Sequence, residues 1–347
     1  MMKRWKFSYS IVLTTLSLCT LSVCHPSVKN NTATASSVTV ATSTSDAVET
    51  PKQAQIHRYE LAFMNLDTAH LETAFKQLQA TYPVFIEGAD ISKKEVQNEI
   101  KSFIADERAK EILADIKKQY PNFKAFENTL FDGLDRYVST FHEGHSIPDV
   151  YTYLSYLDYE NRVIFQDSLL IIGIDMYLGA NYKHYTDIAI PVYISARLGT
   201  PNLVPDALRA VANYELGQQQ PLRTMLDHLI LQGKVAYFLS QMLPKTDEWL
   251  YFGYNKSQWQ WCKKHETMMW AYFIKEKLLF EEDYFKIRKF IDESPTITLF
   301  PESPGRVGWF IGYQIVKRYM DKTNQTLPGL FRLHDSQSIL SQSGYRP

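Results

Sequence analysis

The sequence predicts an α+β protein: a mainly helical single domain carrying a small β-sheet of about three or four strands. Three observations lead there. From residue 56 onward, apolar residues recur mostly at helical spacing. Two β-rich runs, VYTYLSYL and SLLIIGI, sit together near the middle of the chain. The first 55 residues carry a leader and a Ser/Thr-rich stretch that do not belong to the fold.

Composition sets the outer limits. The chain has 347 residues, 45% hydrophobic and 22% charged, with 22 Tyr, 19 Phe and 6 Trp. That is enough apolar mass for a sizeable core, and the rings supply large amphipathic surfaces. Formal net charge is -1, so no strong field marks a nucleic-acid binder. Several long apolar runs would be needed for a polytopic membrane protein, and they are missing. Three cysteines do not make a disulfide framework.

Residues 1–23 read as a signal peptide. Lys3, Arg4 and Lys6 form a basic start, and Phe7 to Val23 is apolar but diluted by Ser and Thr. The competing reading is an uncleaved membrane anchor, for which this stretch is near the minimum length. Leu21-Ser22-Val23-Cys24 resembles a bacterial lipobox, with Cys24 as the acylated residue, although Val23 departs from the usual small residue. Residues 24–55 then read as a lipidated Cys and a flexible tether. Their Ser, Thr, Ala and Val cannot bury enough apolar surface to offset the entropy of ordering.

Residues 56–347 are expected to form one domain. Ile56 to Asn65 alternates like a strand. Asp67 or Thr68 can cap a helix with the stripe Leu71, Ala74, Phe75 and Leu78, ended at Tyr82-Pro83. Two helices follow, on Val96, Ile100, Phe103 and Ile104 and on Ala109, Ile112, Leu113 and Ile116. A longer one is expected from Phe123 to Phe141. Strands are expected in Asp149 to Leu157 and Val163 to Ile174, pairing with each other and with the first strand. From Asp187 the pattern is helical. A helix starts at Pro205, one runs from Leu222 to Leu243, one from Lys256 to Phe280 and a shorter one from Glu281 to Ile291. Another covers Pro304 to Met320, where Gly305, Gly308 and Gly312 would let another backbone approach. Asp335 caps a last short helix.

Few residues announce chemistry. His142 to His145 reads HEGH, not HExxH, and has no partner at metal-ligand spacing, so solvated loop histidines are expected. His228 and Gln232 lie in one apolar helix and Glu266 in the next. Buried polar groups there need partners, and a cluster joining Gln232, Glu266 and Arg306 is one arrangement, structural or ligand-binding. Asp175 in GIDMYLG is a turn-former or a site residue. Neither G-x-S-x-G nor a P-loop is present. Cys262 in an aromatic setting reads as a buried small hydrophobe. The rings at Trp259, Trp261, Trp270 and Tyr272 have spacings odd for one helical face. No catalytic residue, metal ligand or cofactor is assigned.

Taken in order, the leader with Cys24, GIDMYLG (173–179), LILQGKVAYFLSQMLP (229–244), QWQWCKKHETMMWAYFIKEKLLF (258–280) and SPGRVGWFIGYQIVKRYM (303–320) resemble the gliding motility lipoprotein GldB family of Bacteroidetes. The resemblance covers about Ile56 to Pro347. It implies a lipid-anchored envelope protein whose partners are proteins of the gliding machinery; the residues after Cys24, HPSVKNN without an acidic cluster, point to a periplasm-facing position. A more distant similarity links the family to predicted zinc peptidases. QGKVAYF (232–238) matches their second helix, but ALRAVANYELG (207–217) has no His in place of HExxH. It implies a zincin-like scaffold without its metal. The resulting expectation is a non-enzymatic, membrane-tethered interaction protein. The alternatives are a hydrolase using Glu266, His228 or His142, and a periplasmic peptide- or glycan-binding protein.

Overall fold

The computed structural model describes residues 55–86, 88–166, 168–217, 222–300 and 302–347. The leader, Cys24 and most of the tether lie outside the described residues. Contacts divide the chain into two compact units, one containing 66–102 and the other 55–65 with 103–347.

Within 66–102, helix α1 (Leu71–Thr81) buries Leu71, Phe75 and Leu78, the stripe read from the sequence. Pro83 ends it as expected and opens a single turn, Pro83–Ile86. Helix α2 (Lys94–Ala105) begins in this unit. Gln97 Nε2 ties it back to the Ile91 carbonyl at 3.0 Å and to Glu72 Oε1 at 3.2 Å.

The second unit holds the sheet, in the order β1-β2-β4-β3. Strand β1 (Ile56–Arg58) pairs parallel with β2 (Asp149–Tyr153), and β2 pairs parallel with β4 (Leu169–Gly173). β3 (Val163–Gln166) closes the edge antiparallel to β4. Leu170, Ile171 and Ile172 are buried. A continuous apolar run is what a strand covered on both faces requires. The run expected as one strand from Val163 to Ile174 is therefore a hairpin, with Ser168 left-handed in its turn.

The first strand is shorter than expected. Tyr59–Met64 turns helical because Glu60 is buried, bonded to Arg58 Nε at 2.7 Å and accepting from the Thr152 hydroxyl at 2.7 Å. That tertiary pairing overrides the local alternation. Helices α3 (Glu107–Gln119) and α4 (Glu127–Phe141) match their stripes, although α4 starts at Glu127 rather than Phe123.

Helix α5 (Thr200–Leu216) starts before Pro205, with Pro201 in its first turn. Pro205 thus lies inside the helix and leaves the Pro201 carbonyl without its i+4 donor. Helix α6 (Met225–Met242) is closed by a capping box in which Thr224 and Asp227 bond each other's backbone N–H. The expected Lys256–Phe280 helix is broken. α7 (Lys256–Lys264) and α8 (Glu266–Lys275) meet at His265, whose Nδ1 lies 2.8 Å from the Trp261 carbonyl. The rings with odd spacing face different ways: Trp259 is buried against Phe252 and Phe310, while Trp261 stacks on His265. Helices α9 (Tyr284–Ile291), α10 (Val307–Lys322) and α11 (Ser336–Ser343) follow, the last capped by Asp335 as read from the sequence.

α6 and α10 pack along their length. A Cβ at Gly312 would overlap the Leu229 carbonyl, one at Gly233 would overlap the Gly312 carbonyl, and one at Gly308 would lie 2.9 Å from the Phe290 carbonyl. Gly308 and Gly312 thus permit backbone contact, as their spacing predicts. Gly305 does the same against Ser294.

Candidate functional site

The helices α5 and α10 and the loops before and between them carry charge into the second unit. Arg162 follows the loop after β2. Arg197 stands in the turn ahead of α5, Asp206 and Arg209 within α5, Glu293 just beyond α9, and Arg306 immediately before α10. Arg197, Asp206 and Arg306 are buried. Arg306 is held at φ +57, left-handed, at the helix start. A non-glycine residue pays strain in that conformation, and such strain concentrates at functional positions.

Each carboxylate is pinned by cations. Glu293 Oε1 lies 2.5 Å from Arg197 Nη2 and accepts from Arg306 Nη1 at 3.0 Å, while Oε2 accepts from the Tyr159 hydroxyl at 2.7 Å. Asp206 Oδ2 accepts from Arg162 Nε at 3.0 Å and from the Tyr177 hydroxyl at 3.1 Å. Arg197 Nη1 stands 3.8 Å from Asp206 Oδ1 and bridges the two acids. Burial alone would raise Asp206, but Arg162, Arg197 and Arg209 outweigh it and bring it down to about 2. Arg306 and Arg197 likewise overcome burial and lower Glu293. Both acids are therefore ionised at neutral pH.

Aromatic rings complete the walls. Arg209 and Arg306 both lie against Trp309, at 5.1 and 4.7 Å from its centre, and Arg162 lies 4.5 Å from Tyr159. Beside this cluster is a cavity of about 340 Å³, lined by Arg197, Arg306, Glu293, Trp249, Tyr254 and Lys256 among others.

The sequence-derived site residues go to separate surroundings. Arg306 belongs to this cluster. Glu266 Oε1 accepts from the Tyr345 hydroxyl at 2.7 Å. His228 is half-buried beside Tyr284, and burial lowers its pKa although Asp227 opposes this. Gln232 is half-buried on α6. Among the described residues no hydrogen bond or ion pair joins Gln232, Glu266 and Arg306 to one another. Asp175 sits in the 3-10 turn Ile174–Tyr177 rather than between strands. It is fully buried and accepts from Ser155 N at 3.0 Å, Leu157 N at 2.7 Å and the Ser155 hydroxyl at 2.8 Å. Burial raises it to about 6 against those bonds. Its bonds hold Tyr156 and Leu157, both left-handed, and so set the loop that presents Tyr159. Asp175 is thus a positioning residue.

His142 Nε2 is 2.9 Å from Glu215 Oε1 and His145 Nδ1 is 3.0 Å from the His142 carbonyl. Among the described residues no three His, Cys, Asp or Glu side chains group as a metal site. Cys262 is buried and burial drives its thiol pKa up.

Sequence reading missed Arg162, Arg197, Asp206, Arg209 and Glu293. The available signal was DALR in α5, an acid and a base three apart amid apolar residues of the helix.

Fold and site together define a mainly helical α+β protein whose charged groups converge beside a cavity at the start of one helix. The chain belongs to the family of the gliding motility protein GldB, whose model matches residues 41–347. No curated protein and no solved structure matches it. No helix among the described residues is long and apolar enough to cross a membrane.

Proposed function

We propose that this GldB-family protein is a non-catalytic component of the gliding apparatus. In this reading Cys24 carries the lipid, residues 24–55 are the tether, and the folded part meets other envelope proteins on the periplasmic side. The observation that supports a recognition role over a bond-breaking one is the state of the two acids. A general acid or base needs a pKa near the working pH and freedom to trade a proton. Glu293 and Asp206 are instead locked as anions by arginines and tyrosines.

Cross-linking of the full chain in intact cells, followed by identification of what it is joined to, tests the reading. The expected products are other proteins of the gliding machinery. Wild-type protein should sediment with membranes and Cys24→Ser should not. Peptide cleavage by the purified chain, abolished by Glu293→Gln, would overturn the non-catalytic role. The cavity favours the ligand-binding alternative as a second reading, since its size suits a small molecule rather than a polymer.

A further inference from the structure

The charge cluster does not balance. Four guanidinium groups, Arg162, Arg197, Arg209 and Arg306, face two carboxylates, Asp206 and Glu293. On the cavity wall itself, Arg197, Arg306 and the exposed Lys256 stand against Glu293 alone. A single oxygen, Glu293 Oε1, serves both arginines. Buried charge left uncompensated is expensive, and an arrangement that keeps it is suited to receive the missing counter-charge from outside.

Three further observations place that counter-charge in the cavity. Two donors, Arg197 Nε and Ser294 Oγ, are buried without a hydrogen-bond partner, and both residues line the cavity. Most buried polar groups in folded proteins are satisfied, so such a concentration marks a site. Gly253, also on the wall, is left-handed, and a side chain there would crowd both guanidinium groups, its Cβ lying 3.2 Å from Arg197 Nη1 and 3.5 Å from Arg306 Nη2. The open N-terminus of α10 begins one residue after Arg306 and adds its positive end.

We propose that this cavity binds a small oxyanion, carboxylate or phosphate, held between Arg197 and Arg306 with Lys256 at the rim. The pKa pattern agrees at Arg306, which burial and the neighbouring Arg197 lower although Glu293 opposes this. Arg197 is raised by Asp206 against burial, so Arg306 is the cavity arginine left short of counter-charge. Guanidinium favours planar or tetrahedral oxyanions through paired N–H donors. Trp249 and Tyr254 supply apolar walls for the body of the ligand. The inference goes beyond the tethered role proposed above and does not depend on it.

Thermal unfolding of the full chain in detergent, titrated with inorganic phosphate or with succinate, tests it. Sodium chloride at matched ionic strength separates binding from screening. A ligand that binds only the folded state raises the midpoint saturably. Saturation by phosphate, by succinate or by both supports the site, and the stronger probe tells which oxyanion it takes. Gly253→Ala crowds both arginines and is expected to weaken binding by about tenfold, the worth of one charge-assisted hydrogen bond. Because alanine is strained at a positive φ, Lys256→Glu is the second variant. It lies on the exposed rim and is expected to weaken binding without unfolding the protein. No shift beyond chloride with either probe, or undiminished affinity in every folded variant, would overturn the proposal.

Discussion

Helix α10 is held in two different ways along its length. Its middle lies against α6 with Gly312 admitting the Leu229 carbonyl, and its neighbours Phe310, Ile311 and Ile315 are fully buried. Its start is surrounded by arginines, two carboxylates and a tryptophan. The seam is stabilised by dispersion and water exclusion, which reward close approach and carry no desolvation cost. The charged end forfeits hydration and recovers it through ion pairs that in general roughly break even. A region that adds little net stability yet gathers strain, buried charge and unpartnered polar atoms is better explained by binding than by folding. The seam is the converse, all stability with no chemistry.

The largest effect should come from the seam. Gly312→Ala puts a methyl group into the Leu229 carbonyl, which only a backbone shift can relieve. Overpacking of this kind costs about 3 kcal/mol. Denaturant unfolding should show a lower midpoint with an unchanged slope. A near-neutral result would mean the two helices can slide apart, and the contrast with the charged end would fail.

The next effect should come from Glu293→Gln, which leaves Arg197 and Arg306 sharing no carboxylate. A loss of about 2–3 kcal/mol at pH 7 is expected, and it should depend on pH. Asp206 and Glu293 have folded pKa values below their unfolded ones, Asp206 at about 2. Their contribution is present above the unfolded carboxylate range near pH 4 and fades as pH falls through the folded values. Wild type should therefore lose stability steeply between about pH 4 and pH 2, and Glu293→Gln should lose less over that window. Parallel acid-unfolding curves would show that Glu293 is not stabilised by its arginines.

The smallest effect sharpens the comparison through a buried charge elsewhere on α6. Lys234 on α6 is buried, donates to the Leu333 carbonyl, and has its pKa pushed down to about 8 by burial. Lys234→Met should stabilise the protein by about 1 kcal/mol at pH 7. A depressed lysine gains stability as pH rises from its folded toward its unfolded value, so wild type should catch up between about pH 8 and pH 10. Equal stability at pH 7 would show that the Leu333 carbonyl compensates the charge fully.

The outcome at particular residues shows what was legible. The stripe on α1, the capping of α11 by Asp335 and the glycines of α10 could be read directly, because each depends on neighbours within a turn or two. Ile56 to Asn65 could not, because buried Glu60 answers to Thr152, distant in sequence. The odd ring spacings showed only that some rings face away from the core; nothing local marked the break at His265. At the site, Arg306 was singled out, but Glu293 was not, since an acid following a helix looks like any solvated one.

The sequence by itself determined the helical majority, the central β-rich segment and the family to which the chain belongs. Each is carried by periodicity or by contiguous motifs, which survive without knowledge of distant partners. Only the tertiary structure decided which of the acids and bases become buried together, which helices break and where the cavity lies. Those outcomes depend on Coulomb and packing interactions between residues far apart in the chain, where charge sign and side-chain volume are fixed by sequence but separation is not.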